Sequence, residues 1–242
     1  GQGRCDYPKG SKYIKYIGYW ENDQFHGQGL MMYADGSKFD GFWSHNQQHG
    51  KGTFTHPDDG EEMGEEYEGE WIDGRRHGQG VFQYVDGSHY DGEFKNEYRH
   101  GHGIYRNKDG TQYDGEWYQG EMHGMGTLVK SNRDKYEGEF LKGERIGQAK
   151  VKYLYPKGTA WSIHWVFAPG IYEGTVLNNQ LHGWGRYSYE TGEIWEGQFS
   201  VGSPVPATGK FKYPNGDTWK GYDIHTVNRQ SIVNGRGIYT FS

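Results

Sequence analysis

The chain has 242 residues, of which 41 are glycine and 17% are Phe, Trp or Tyr, while the whole apolar set is only 33%. So many rings exclude a disordered chain, and the glycines lack the every-third-residue period of collagen. The net charge of −6, from 26 Lys and Arg against 32 Asp and Glu, excludes a general attraction to nucleic acid or anionic lipid. The lone Cys5 excludes an internal disulfide and fits a reducing compartment. No apolar run approaches the ~20 residues of a membrane span. A chain rich in both glycine and rings is left with a regular β architecture of many tight turns.

From the N-terminus, the pattern aromatic-x-Gly-x-aromatic begins near Tyr16, Phe39, Tyr67, Tyr90, Tyr113, Tyr136, Tyr172, Trp195 and Trp219, at spacings of 23, 28, 23, 23, 23, 36, 23 and 24. A second pattern, His-Gly-x-Gly, keeps step at His26, His49, His77, His100, His123 and His182, with Ile146 in the same place once. Gly1-Gln2-Gly3 matches Gly27-Gln28-Gly29, so the chain reads as starting inside a unit and as a piece of a longer protein. Two patterns locked to one period signal a repeat array. Each unit reads as a β-hairpin. In Gly80–Phe94, Asp86-Gly87 is a type I′ turn signal, repeated at Asp35-Gly36, Asp109-Gly110 and Asn215-Gly216. Tyr90, Gly92 and Phe94 then share one face and Asp91 and Glu93 the other. The middle glycine leaves room for a neighbouring ring. Lys95 to Gly101 reads as the loop to the next hairpin.

These units resemble MORN repeats, whose pattern is Tyr-x-Gly-x-Trp/Phe followed by His/Asn-Gly-x-Gly. The resemblance covers nearly the whole chain. It implies an all-β fold: an elongated, single-layer antiparallel sheet of stacked β-hairpin repeats, a single array over residues 1–242. Each repeat adds roughly 10 Å. The structural core positions are then Tyr67, Gly69 and Trp71; Tyr90, Gly92 and Phe94; Tyr113, Gly115 and Trp117; and Tyr136, Gly138 and Phe140.

The candidate sites divide into regular and irregular ones. The six histidines recur one repeat apart, too far to share a metal ion, so each is read as supporting a turn by local hydrogen bonds. Catalytic motifs are missing: there is no Gly-x-Ser-x-Gly elbow, P-loop, His-Glu-x-x-His or complete Gly-x-Gly-x-x-Gly. Ser88, His89 and Asp91 alternate faces and make no triad. Glu68, Glu70, Asp91, Glu93, Asp114, Glu116, Glu137 and Glu139 gather on the face opposite the rings, either as a solvated face or as a stripe for a basic partner. That stripe opposes anionic lipid.

Three breaks in the period are where specificity is expected. The first, 58–66, is acidic and includes Glu61, Glu62 and Glu65; the calcium-loop spacing is absent. The second, 159–169, is apolar and holds Trp161, Trp165 and Phe167. It either folds back on the sheet or meets a partner, with Lys150, Lys152 and Lys157 as a basic rim. The third, 223–233, either caps a sheet edge or docks a partner.

The expectation is a non-catalytic scaffold that binds helical or extended segments of partner proteins, with no cofactor, metal or nucleic acid. The resemblance implies a cytoplasmic setting in a large cytoskeletal or ciliary, axonemal assembly. It leaves two rivals: the targeting module of an enzyme such as a SET-type lysine methyltransferase or a lipid kinase, and a membrane-apposition module. Homo- or hetero-oligomers are open to the chain through free sheet edges.

Overall fold

The computed structural model describes residues 1–57, 64–154, 169–205, 208–221 and 237–242. Glu61, Glu62, Lys157, Trp161, Trp165, Phe167 and the 223–233 segment lie outside the described residues. The chain divides into two compact units, Gly1–Glu121 and Met122–Ser242.

The first unit contains β1 (Gln2–Asp6), β2 (Tyr13–Glu21), β3 (Gln24–Tyr33), β4 (Lys38–Ser44), β5 (Gln47–Thr55), β6 (Glu66–Ile72), β7 (Arg75–Gln83), β8 (His89–Lys95), β9 (Tyr98–Arg106) and β10 (Gln112–Tyr118). The second contains β11 (Glu121–Val129, starting at the boundary), β12 (Lys135–Leu141), β13 (Glu144–Tyr153), β14 (Gly170–Leu177), β15 (Gln180–Tyr189), β16 (Ile194–Ser200), β17 (Ser203–Pro204), β18 (Lys210–Lys212), β19 (Thr218–Gly221) and β20 (Gly237–Thr240). The fold is all-β, and within each unit its strands pair antiparallel as stacked hairpins, in sequence order except that β16 pairs with both β17 and β18. It is an open sheet rather than a barrel; among the described residues β1, for instance, pairs with β2 alone.

The register aligns like with like. In the first unit a row of side chains runs Tyr16, Met31, Phe39, Phe54, Tyr67, Phe82, Tyr90, Tyr105 and Tyr113. Beside it runs a row of glycines: Gly18, Gly29, Gly41, Gly52, Gly69, Gly80, Gly92, Gly103 and Gly115. In the second unit Tyr136, Val151, Tyr172, Tyr187, Trp195, Phe211 and Trp219 continue the same logic. The expected core positions are where the core lies: Tyr67, Trp71, Tyr90, Phe94, Tyr113, Trp117, Tyr136 and Phe140 are all at most 6% exposed. Val176 takes the second ring's place in β14 and is equally buried.

The ring that occupies the space beside each glycine belongs to the same motif. The Tyr90 ring lies over Gly92 and Gly103, and a Cβ on Gly92 would stand 2.7 Å from the Tyr90 oxygen. Tyr67 covers Gly69 and Gly80 in the same way, and Tyr172 covers Gly174 and Gly185. Lying flat brings the hydroxyl to the backbone. Tyr90 Oη donates to Glu93 O at 3.0 Å and approaches His100 O at 3.4 Å. Tyr67, Tyr136 and Tyr172 repeat both contacts. The second carbonyl belongs to a β-bulge, where the pairing of β8 with β9 slips between Gly92 and Glu93.

The expected role of the histidines holds in part: the His26 and His49 rings face carboxylates at the two-residue turns, His26 Nδ1 lying 3.5 Å from Glu21 and His49 Nδ1 3.8 Å from Asp73. At His77, His100 and His182 the repeat uses the backbone carbonyl instead, and the His77 Nδ1 has no partner among the described residues. A carbonyl has no side-chain requirement, so Ile146 serves Tyr136 equally at 3.0 Å. Tyr90→Phe should therefore cost only about 1 kcal/mol in a denaturant melt, the net worth of one buried hydrogen bond. Phe39 already sits over Gly41 and Gly52 without a hydroxyl.

The turns also differ from the sequence reading. At the four pairs read as type I′ signals only the glycine has positive φ: Gly36 at 86°, Gly87 at 82°, Gly110 at 88° and Gly216 at 92°. These are type I turns closed by a left-handed glycine, as in Gly87 N donating to Tyr84 O and Tyr84 N to Ser88 O. The two-residue turns with both φ positive lie at the other end of each hairpin: Asn22-Asp23, His45-Asn46, Asp73-Gly74, Asn96-Glu97, Gln119-Gly120, Lys142-Gly143, Asn178-Asn179 and Val201-Gly202. The stretch read as a loop, Lys95 to Gly101, is thus a two-residue turn inside continuous strand.

Asp86 still matters to its turn. Its Oδ1 accepts from Ser88 N at 2.8 Å and Ser88 Oγ at 2.6 Å, and these bonds hold the carboxyl below its usual range. A carboxyl depressed on folding stabilises the fold above its unfolded pKa, and that contribution disappears as pH falls through the folded one. Ser88→Ala should move the Asp86 midpoint up toward an ordinary carboxylate in an NMR titration of the side-chain carbon. An unmoved midpoint would rule the hydroxyl out as the cause.

Each two-residue turn after Asn22-Asp23 leans on the hairpin before it. Asn46 N donates to Phe25 O, Gly74 N to Gln48 O, Glu97 N to Arg76 O and Gly120 N to Arg99 O. Within the second unit Gly143 N reaches Met122 O, Asn179 N reaches Arg145 O and Gly202 N reaches Leu181 O. Side chains thicken the ladder: Asn46 Oδ1 accepts from Phe25 N at 2.8 Å and Asn179 Oδ1 from Arg145 N at 2.9 Å.

Candidate partner-binding groove

Within the Gly1–Glu121 unit the ring face is hollowed into an open groove of about 690 Å³. Phe54, Tyr67, Trp71, Phe82, Tyr84, Phe94 and Tyr98 give it apolar walls. Glu65, Glu66, Arg76, Glu97 and Arg99 give it charge, and His56 adds a polar ring. The strand alternation that buries the rings places the two arginines, because the residue two after each two-residue turn returns to the ring face. That column runs Phe25, Gln48, Arg76 and Arg99 in the first unit. Met122, Arg145 and Leu181 follow in the second.

The two arginines are held differently. Arg76 N and Nε donate to the two oxygens of Glu97 at 2.7 and 2.8 Å, while its guanidinium lies 4.8 Å from the Phe82 ring centre. Arg99 lies with its guanidinium 4.1 Å from the centre of Trp117 and 5.4 Å from that of Tyr105. Its Nη2 donates to Gly120 O at 2.7 Å. Trp117 is fixed in turn by Nε1 donating to Gly103 O at 3.0 Å and by edge contacts to Tyr113 and Tyr90, at 5.1 and 5.3 Å. Burial raises the Tyr84 hydroxyl above its ordinary range, so it stays a neutral donor at the groove wall.

The other candidate residues have separate places. Glu65 lines the groove. Lys150 and Lys152 lie on β13, on the side away from the rings; Lys150 pairs with Glu173 at 3.3 Å and Lys152 is exposed. The acidic residues do share the face opposite the rings, but part of the stripe is internal bracing. Glu93 Oε1 accepts from His102 N at 2.9 Å, and the carboxylates of Glu70, Glu93 and Glu139 stand over Gly78, Gly101 and Gly147, whose φ values are 60°, 56° and 66°. Asp114 faces His102 at 3.2 Å and Glu137 pairs with Lys135 at 2.5 Å. In the first two repeats Tyr19 and Phe42 occupy the bracing position instead.

Arg76 and Arg99 are absent from the sequence-level candidates. They fall outside the two motifs, and Arg99 lies in the stretch read as loop. The signal was available as a third column nine residues after each repeat's first aromatic, shared by Phe25, Gln48, Arg76, Arg99, Met122, Arg145 and Leu181.

No curated protein matches the chain. Among solved structures it is similar to the TCP10 domain of Danio rerio CPAP in complex with a peptide of Danio rerio STIL, at 9% identity over 94% of this chain and 99% of that one, with a TM-score of 0.37. That likeness is too loose for anything to transfer. The MORN repeat model matches residues 16–38, 39–61, 67–89, 90–112, 113–135, 172–194 and 208–218. The units at Tyr136 and Trp195 lie outside those matches yet carry the same ring-over-glycine geometry, with Tyr136 over Gly138 and Ala149, and Trp195 over Gly197 and Gly209. With more than half of its length matched by that model, the chain belongs to the MORN-repeat family.

Proposed function

We propose that this chain is a non-catalytic scaffold that docks helical or extended segments of partner proteins within a large cytoskeletal or ciliary assembly. MORN repeats are generally protein- or membrane-binding modules. One observation carries the protein reading here: the groove of about 690 Å³ on the ring face. Its aromatic walls and few charged groups are the composition that seats apolar anchors of a partner and fixes their orientation. The face opposite the rings carries Glu68, Glu70, Asp91 and Glu116 in exposed positions, which disfavours an anionic bilayer.

The test is cross-linking mass spectrometry of the full chain in ciliated cells. Cross-links from Gln48, Glu66 and Tyr98 to cytoskeletal or axonemal proteins are expected. Cross-links confined to the opposite face, or to membrane proteins alone, would remove the reading.

A further inference from the structure

The state of the two groove arginines narrows what a docked segment carries. Arg76 already has its counter-ion, because Glu97 accepts both its backbone N–H and its Nε–H in an ion pair. Arg99 is held by its face instead. Its guanidinium rests 4.1 Å from the Trp117 ring centre, and its Nη2 uses one donor on Gly120 O. Among the described residues it has no ion pair with a carboxylate. A guanidinium fixed by stacking keeps its in-plane N–H donors for a pair of oxygens. It is also pre-organised, so little rotamer freedom is left to lose on binding. Those spare donors lie at the wall of an aromatic-lined groove.

We propose that the groove takes an acidic segment of a partner protein, with an Asp or Glu carboxylate seated on Arg99 and a neighbouring apolar side chain against Phe82 and Tyr84. This rests on the protein-binding reading above and names the chemistry that the partner brings. A single carboxylate suits the site better than a phosphate. Glu65, Glu66 and Glu97 line the same groove, and their repulsion grows with the charge of the incoming anion.

The experiment selects binders to the intact chain from a random displayed peptide library and measures the enriched peptides by fluorescence anisotropy. Enriched peptides should carry Asp or Glu beside an aromatic or aliphatic residue. Arg99→Gln should weaken them about tenfold or more, as expected for loss of a charge-assisted pair, with Arg99→Lys recovering part of the loss. Glu68→Gln, on the opposite face, should leave binding unchanged. Changing the peptide's acid to its amide should cost as much as Arg99→Gln, which keeps the test valid if that variant melts early. Peptides without acids, or indifference to both changes, overturn the proposal. So does displacement of the peptide by phosphatidylserine vesicles whose binding depends on Arg99. Enriched peptides that occupy the groove but ignore Arg99 sink this inference and leave the scaffold reading standing. Failure to enrich any peptide sinks both.

Discussion

Gly92→Ala is expected to lower the stability of the first unit by about 3 kcal/mol, the upper end of the usual cost of overpacking a close-packed site. The position has ordinary extended backbone, so the cost is purely steric. A Cβ there would meet the Gly103 Cα, His102 O at 2.7 Å and the Tyr90 oxygen at 2.7 Å. Two of the three are backbone, which cannot swing away. Gly87→Ala makes the contrasting control. Its Cβ would have nothing within 4 Å, but its φ is 82°, so only the left-handed penalty of about 1 kcal/mol applies. Gly103→Ala should be milder than Gly92→Ala, because Ala149 already occupies the equivalent place under Tyr136. A denaturant melt followed by Trp fluorescence checks all three, and equal costs at Gly87 and Gly92 would refute the steric account.

Trp117→Ala is the second large effect, at about 3–5 kcal/mol. The indole is 5% exposed, locks Tyr113 and Tyr90 by edge contacts, bonds Gly103 O and carries the Arg99 guanidinium. In a stack of repeats each element touches mainly its neighbours, so the damage should be local. Hydrogen exchange should accelerate across β8 to β10 and stay near the wild-type rate across β2 to β4. Trp117→Phe should lose only about 1 kcal/mol, the value of its hydrogen bond, since Phe94, Phe140 and Phe199 hold the same position and are buried. Uniform acceleration along the whole unit in Trp117→Ala would show a cooperative globule instead.

The strand faces were legible because alternation alone puts Tyr90, Gly92 and Phe94 together, and the burial of β8 follows that alternation. The array was legible because its period repeats. The turns were not. Asp-Gly is a strong local signal for positive φ at two residues, yet at Asp35-Gly36, Asp86-Gly87 and Asp109-Gly110 the chain uses it for a turn with one and only at Asp73-Gly74, among the described residues, for a turn with two, while His45-Asn46 and Lys142-Gly143 adopt the two-residue form without it. What holds those residues there is the ladder to the preceding hairpin, a contact about one repeat away that no local propensity reports. The groove was illegible for a related reason. Arg76 and Arg99 gain meaning only when Trp117, Tyr105 and Glu97 are folded beneath and beside them.

The ladder of turns has a direction. Every turn donor described above, from Asn46 to Gly202, reaches back to a carbonyl of the hairpin preceding it, and the indoles of Trp43, Trp71 and Trp117 also donate backward, to Gly29, Gly52 and Gly103. The backbone donors of a newly made turn therefore find their acceptors already in place in older chain, while Phe25 N, Arg76 N and Arg145 N wait only for the side chains of the next turn, Asn46, Glu97 and Asn179. Assembly can follow the ribosome one hairpin at a time, with each finished repeat serving as the template on which the next one closes.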